Sequence, residues 1–396
     1  MHFSKNVTQV QPSATLALSS KAKAKKALGL DVIDLSIGQP DFETPENIES
    51  AAIAAIKAGR VSGYTSASGL PELKQAVIDK IKSIYGVTYQ QSQVLITTGA
   101  KFALYAAFQV LLNAGDEVLI PTPAWVSYVE QVKLAGGKPV AVNSLAGNFK
   151  VTVDELEAAR TSKTKAVIIN SPQNPTGTIY DQEDLTQIGN WAVKNDITII
   201  SDDIYNQLTY NHAESSALIN ISEAIREHTL LIHGLSKSYS MTGWRIGFAL
   251  GPQRLIKVMS ILAGHATGNP ATVSQYAAIE ALTGPQTSVE QMRSEFEERL
   301  NTIYPMVQAL PGFELTEKPQ GAFYLFPEVK NAVQMTGFDT TEAFCDELLE
   351  QKFVAVVPGR SFGMPDHLRI SYAANLDDIV EGIDRINAFI TGRAND

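Results

Sequence analysis

The chain has 396 residues, 44% hydrophobic and 19% charged, a balance that suits a soluble globular protein with one large domain and a smaller one. Its net charge of −10 argues against nucleic acid as the main partner, because phosphate binding needs a basic field, yet it leaves room for a small anion in a local cationic pocket. Cys345 is the only cysteine, so no intrachain disulfide forms, and no apolar run approaches the roughly 18 residues of a membrane span. The opening MHFSKNVTQVQPSATLAL lacks the apolar core of a secretory signal, which makes the cytoplasm the expected location. The six histidines show neither HExxH nor paired spacing, so no metal site is expected.

In chain order, SSKAKAKKALGL reads as an amphipathic helix with a solvated lysine face rather than a polynucleotide arm. DVIDLSIGQPDFETP then runs through a short apolar stretch into a Gly/Pro turn. From about residue 48, helices alternate with the apolar runs VLITTG (94–99), EVLIP (117–121), PVAV (139–142), AVIIN (166–170), ITIIS (197–201), TLLIH (229–233) and IGFALG (246–251). Continuous β-branched runs indicate strands buried on both faces of a parallel or mixed sheet, and seven of them predict a three-layer α/β domain. The charged helical run 288–310 marks a change of register. Beyond it, GAFYLFP, FVAVVPG and LRISYA read as strands among helices, a smaller α+β domain. The expected division is an N-terminal segment 1–47 joining the small domain, a large domain 48–287 and a small domain 288–396.

Ligands of open α/β sheets gather at the carboxyl ends of the strands. Past the first run lie Gly99, Ala100 and Lys101 at a helix start, where bare N–H groups and the helix dipole attract anions. Past the next runs lie Trp125 in TPAWVSY, Asn174 in SPQNPTG, and Asp202 with Tyr205 three residues on. Lys237 follows TLLIHG, Arg245 opens the next strand, and Arg369 sits in LRISYA. Each alone has an ordinary reading as a turn, a cap, a core aromatic or a surface ion pair. One chemical group past each successive strand does not.

The set resembles the class I/II aminotransferases, pyridoxal-phosphate enzymes of fold type I, and most of all the bacterial-type aspartate aminotransferases. The likeness runs from SIGQPDFETP through GYTSASGLPELKQAV, NSPQNPTG, SDDIY and SKSYSMTGWRIG to LRISYA, with SKxxxxxGxRxG and Asp-x-x-Tyr its most specific parts. It implies a mostly parallel seven-stranded sheet and a Schiff base between Lys237 and pyridoxal 5′-phosphate. By the same resemblance, Arg245, the backbone of Gly99, Ala100 and Lys101, and the partner subunit's Tyr64 would hold the phosphate, so that a homodimer shares its active sites. Asp202 would face the pyridine nitrogen, Tyr205 and Asn174 the 3′ oxygen, and Trp125 the ring face and the substrate. Freed by the incoming amino acid, Lys237 would shuttle the proton between Cα and C4′, and Arg369 would grip the substrate α-carboxylate with help from the Gly38 backbone and Asn174. The assignments make chemical sense. An amine attacks only when neutral, and burial beside cations lowers a lysine pKa. A carboxylate at the pyridine nitrogen makes the ring a strong electron sink. One departure stands out: many relatives have a serine or threonine three residues before the lysine, where this chain has Gly234, and Ser236 would supply a hydroxyl instead.

Substrate choice would rest on Lys101, which in the resembled enzymes contacts a distal carboxylate, assisted by Ser13 and Thr15 of the PSAT segment. The expected reaction is L-aspartate plus 2-oxoglutarate to oxaloacetate plus L-glutamate, by a ping-pong mechanism. Lys101 would otherwise only offset phosphate charge. Arg360 in VVPGRSFG is a second cation that would read a different anionic group, while Phe323, Tyr324 and Phe362 would admit bulk, as in aminotransferases for aromatic amino acids or prephenate; an alanine aminotransferase is a further alternative. A carbon–sulfur lyase on the same fold is the rival enzyme. A cofactor-binding regulator would carry an added DNA-binding domain, and only a short leader is expected before this fold.

Overall fold

The structure, a computed structural model, describes every residue except 13, 145–147, 214, 215, 395 and 396. Its strands in chain order are β1 (Ile33–Asp34), β2 (Val94–Thr97), β3 (Glu117–Thr122), β4 (Lys138–Asn143), β5 (Thr164–Asn170) and β6 (Thr198–Asp202). They continue with β7 (Thr229–Gly234), β8 (Gly247–Leu250), β9 (Tyr324–Leu325), β10 (Val354–Ala355), β11 (Val357–Pro358) and β12 (Leu368–Ser371). All seven expected runs between residues 94 and 251 join one sheet, in the order β2-β8-β7-β6-β5-β3-β4. Only β8 runs against its neighbours; the other pairings are parallel.

Alternation within those runs explains why they lack polar positions. Ile168, Ile200 and Ile232 face one side and pack with Ala103, Leu104 and Phe108 of the helix Ala100–Leu111. Val167, Ile169 and Ile199 face the other and meet Leu185 and Ile188 of the helix Gln182–Lys194. Both faces are covered by helices, so the strands β2, β7 and β8 are buried along their whole length, and each buried large apolar side chain contributes roughly 1.5–3 kcal/mol of transfer free energy. The helix Gln182–Lys194 starts at Asp181, whose carboxylate accepts from the Asp184 N–H at 2.9 Å.

A second core joins the N-terminal segment to the last third of the chain. Ile33 and Leu35 pack with Ile379, Ile383 and Ile386 of the helix Leu376–Ala394, and β1 pairs in parallel with β10. The stretch FVAVVPG does not form one strand. It divides at Val356, because β10 pairs with β1 while β11 joins β12 and β9 in an antiparallel sheet. The lysine-rich segment is helical over Ala14–Ala27, with Leu18 and Ala22 buried. Its lysine face is partly ion-paired, Lys21 with Asp346 at 2.9 Å and Lys25 with Glu350 at 2.7 Å. Among the described residues, no helix is long and apolar enough to cross a membrane and no cluster of metal ligands occurs.

Candidate active site

The carboxyl ends of β2, β5, β6 and β7 open into one cleft of about 510 Å³, walled on its far side by Tyr324 and Arg369. At one end, Gly99 caps the helix Ala100–Leu111 with φ 76° and ψ 159°, and no side chain satisfies the first N–H groups. The space where a Gly99 Cβ would lie is taken by Arg245, whose Cζ would be 2.9 Å away. Arg245 is exposed, with φ 55°, and its Nη1 donates to the Thr242 carbonyl at 2.8 Å. A helix N-terminus, a guanidinium and the Lys101 ammonium thus converge where Ser236 and Thr242 also line the wall.

Lys237 lies between this end and Arg369. It is half-buried, and its Nζ donates to the Gly38 carbonyl. Burial first, then the charges of Arg369, Arg245 and Lys101, pull its pKa down to about 7, against the opposing pull of Asp202. Asp202 is buried at the end of β6. Tyr128 donates to its Oδ2 at 2.6 Å and the Ile204 N–H to its Oδ1 at 3.3 Å. Burial raises the Asp202 pKa to about 6, and those two bonds and Lys237 oppose the rise. The Asp202 carbonyl accepts from Asn170 Nδ2 at 2.8 Å, and Asn170 Oδ1 accepts from the Asn174 N–H at 2.9 Å, which links the ends of β5 and β6. Trp125 meets Tyr128 edge to face at 5.3 Å, and the Lys101 ammonium sits 4.9 Å from the Trp125 ring centre. Burial and the neighbouring Arg245 lower the pKa of Lys101.

Arg369 projects from β12. Its Nη1 donates to Asn174 Oδ1 at 3.0 Å and its Nη2 to the Ser36 carbonyl at 2.8 Å. Tyr324 stacks 4.3 Å from the guanidinium and Phe362 lies 5.0 Å away. The buried Nε has no partner among the described residues, so a planar cation is held with a donor to spare. Tyr205 shares a 2.9 Å hydrogen bond with the Tyr324 hydroxyl, and its pKa rises through burial and that neighbour.

Most of the residues singled out in the sequence therefore meet in this cleft, with Thr15 on its wall; Ser13 lies outside the described residues. Three do not, and Tyr64, expected to act on the partner subunit's site, is fully exposed and lies outside its own chain's cleft. Arg360 is bound to Glu342 and exposed. Phe323 and Phe362 are buried in the core rather than open to a substrate. Gly234 is closely covered: a Cβ there would lie 3.1 Å from the Ile246 carbonyl and 3.2 Å from Gly247 Cα. Sequence reasoning passed over Tyr128, Thr242 and Ser36. Tyr128 stands three residues after Trp125, its N–H bonded to the Trp125 carbonyl at 3.1 Å, and that short spacing was a usable signal.

The family model for aminotransferase class I and II matches residues 30–386. The chain belongs to the class I and II aminotransferases. This aminotransferase is 51% identical over 389 residues to an asparagine–oxo-acid transaminase of Streptococcus mutans, covering 98% of this chain and 99% of that one. It is 53% identical over 385 residues to an aspartate aminotransferase of Bacillus sp. (strain YM-2), covering 97% and 98%. Among solved structures, the aspartate aminotransferase from Rhizobium meliloti superposes with a TM-score of 0.94 at 35% identity, covering 99% of each chain. The Thermus thermophilus aspartate aminotransferase with maleate gives 0.93 at 35% identity, covering 98% of this chain and 100% of that one.

Proposed function

We propose that this aminotransferase holds pyridoxal phosphate on Lys237 and moves the amino group of L-aspartate to 2-oxoglutarate in two half-reactions. The observation that carries the reading is the Lys237 amine, its pKa pulled to about 7, set between a buried carboxylate and a cationic helix N-terminus. The residues present fit the cofactor. Arg245 fills the place a Gly99 side chain would occupy, and the Gly99–Lys101 turn, Ser236 and Thr242 offer donors for a phosphate. Asp202, kept in place by Tyr128, would face the pyridine nitrogen, Tyr205 and Asn174 the 3′ oxygen, and Trp125 the ring. When bound, the cofactor supplies an electron sink for charge developing at the substrate Cα. Lys237 Nζ takes the Cα proton over a short distance, a role open to an amine that is partly neutral at pH 7. Arg369 grips the α-carboxylate with the fork that Asn174 and Ser36 hold in plane.

Support for an acidic side chain comes from Lys101 above Trp125, from the relatives named aspartate aminotransferase, and from the maleate, a dicarboxylate, named with the Thermus enzyme. We read the protein as a cytoplasmic homodimer with shared sites. For the homodimer, support comes from the exposure of Tyr64, Ile53, Ile56, Val258 and Ile261. The proposed division into 1–47, 48–287 and 288–396 is supported by the packing of Ile33 and Leu35 on the last helix. Two experiments test the reading. Lys237→Ala should lose borohydride-trapped pyridoxal phosphate and nearly all turnover, and covalent trapping in that variant would refute the assignment. A donor panel of aspartate, asparagine, alanine and phenylalanine with 2-oxoglutarate then ranks the substrate, while pyruvate release from cystathionine without amino transfer would favour the lyase.

A further inference from the structure

On the face of the sheet turned away from the cleft lies a polar cluster with no part in the reaction as described. β6 ends in Ser201-Asp202 with Asp203 next in the chain, and continued alternation sends Asp202 to the cleft side and its two neighbours to the other. Ser201 Oγ donates to Asp203 Oδ1 at 2.6 Å, and the Tyr85 hydroxyl donates to Oδ2 at 3.1 Å. That hydroxyl accepts from Asn206 Nδ2 at 2.7 Å, and Asn206 Oδ1 pairs with His233 Nε2 at 2.6 Å. The Gly234 N–H donates to His233 Nδ1 at 2.7 Å, so a neutral ring with its proton on Nε2 satisfies the whole chain. Burial favours that form, lowering the His233 pKa to about 4, and the ring lies flat on Phe248 at 5.1 Å. All five side chains are buried.

This chain begins where the backbone stops holding β6 and β7 together. The strands pair from Ile199–Thr229 to Asp202–Ile232, and the Asp203 N–H bond to the Ile232 carbonyl at 2.9 Å is the last rung between them among the described residues. Asp202, in register with Ile232, stands next to that rung, and Lys237 follows the end of β7 at Gly234. An apolar filling like that of Leu231 and Leu250 on the same face would pack as well, but it would not fix a distance. Hydrogen bonds have narrow distance and angle ranges, and linked ones reinforce each other.

We propose that the hydrogen-bond chain Ser201–Asp203–Tyr85–Asn206–His233 is a tie that sets the separation of Asp202 and Lys237, with Tyr85, Asn206 and His233 as positioning residues for amino transfer. The inference rests on the roles proposed above for Asp202 and Lys237. The charged groups facing Lys237 are Asp202, Arg369, Arg245 and Lys101, and Lys80 is the charge that acts on His233. If the tie slackens, Lys237 gains water and its proton affinity climbs.

Tyr85→Phe removes the central hydroxyl and keeps the ring. In protein stripped of pyridoxal phosphate, lysine acylation followed across pH and read at the Lys237 peptide by mass spectrometry gives the midpoint of that amine. In Tyr85→Phe the midpoint should rise by about one pH unit, and kcat of the reconstituted enzyme should fall about tenfold with KM for aspartate within about threefold, as expected for one broken buried hydrogen bond. Combined with His233→Gln, the loss should barely exceed that of the worse single variant, because a chain broken twice is no looser than one broken once. A lowered melting temperature with unchanged midpoint and kcat, or additive losses in the double variant, would overturn the proposal. Should Tyr85→Phe not fold, Ser201→Ala removes only the end donor; a shift in the same direction and about a threefold loss of kcat would support the tie, and no change in either would overturn it. Cofactor trapped covalently by Lys237→Ala would refute the earlier reading, whereas a silent Tyr85→Phe beside a Lys237→Ala that traps nothing refutes only this one.

Discussion

Gly99→Ala probes the anion end of the cleft at its tightest point. The residue has φ 76° and ψ 159°, a region that is essentially glycine's alone and costs other residues about 1–3 kcal/mol. The added Cβ would also lie 2.9 Å from Arg245 Cζ and closer still to Nη2. Arg245 is exposed and, among the described residues, its side chain hydrogen-bonds only the Thr242 carbonyl of its own loop, so it swings aside rather than blocking the fold. The penalty therefore divides. Folding stability falls by the backbone strain, about 1–3 kcal/mol. Phosphate binding loses a charged hydrogen bond of about 1.5–3 kcal/mol, which corresponds to a Kd for pyridoxal phosphate raised roughly 10- to 150-fold. Absorbance titration of stripped protein gives the Kd, and thermal melts of the same samples give the stability. Gly392→Ala is the control, because nothing lies within 4 Å of its added Cβ; it should keep the Kd and gain about 0.5–1 kcal/mol in its helix. On an Arg245→Ala background, the effect of Gly99→Ala on Kd should shrink to a few-fold, since the group it displaces is gone. A Gly99→Ala protein that melts lower yet binds pyridoxal phosphate within about twofold of the parent would refute the link between this glycine and the phosphate.

Lys237→Met should stabilise the stripped protein. The folded lysine has a pKa of about 7 against an ordinary 10.5, so the unfolded chain binds more protons between those values and the parent gains stability as pH rises through that window. The melting advantage of Lys237→Met should thus be largest below pH 7 and fade toward pH 10. Arg369→Lys keeps the charge but loses the fork held by Asn174 and Ser36; steady-state kinetics should show KM raised about 10- to 100-fold for every amino donor alike. Lys101→Met should cost aspartate about tenfold or more in kcat/KM and alanine or phenylalanine far less, while equal losses would leave Lys101 only a phosphate role. Arg360→Ala should leave the donor ranking unchanged, because that side chain is turned to Glu342.

The fold was legible wherever one local rule governed a whole element. Seven uninterrupted β-branched runs became seven strands because helices cover both faces of the sheet. Where the outcome depends on a distant partner, periodicity is silent. FVAVVPG has the composition of one strand, but Val354 and Ala355 pair in register with Ile33 and Asp34 while Val357 and Pro358 pair with Arg369 and Leu368. Nothing within seven residues announces that change of partner. The reversed direction of β8 is equally a matter of what lies beside it, β7 on one edge and β2 on the other.

The cleft follows the same division. Groups that stand just past a strand were readable, because carboxyl ends of parallel strands share one edge. Direction was harder to read. Arg360 and Arg369 are nine residues apart in one sequence motif region, yet a tight turn over Gly359–Phe362 sends the first to Glu342 and the β12 register sends the second into the cleft. Asp202 and Asp203 are neighbours, and strand alternation alone gives one to the cleft and the other to Tyr85. Burial pushes the Asp203 pKa up to about 7, higher than that of Asp202, so shifted proton affinity does not by itself tell which carboxylate works. Orientation does: only Asp202 shares the cleft with Lys237. Tyr64 carries this reasoning past the single chain. A tyrosine with its whole ring in water gains nothing in a lone protomer, so its proposed phosphate contact belongs to the proposed homodimer, where Tyr64→Phe should weaken pyridoxal phosphate binding without changing Lys237.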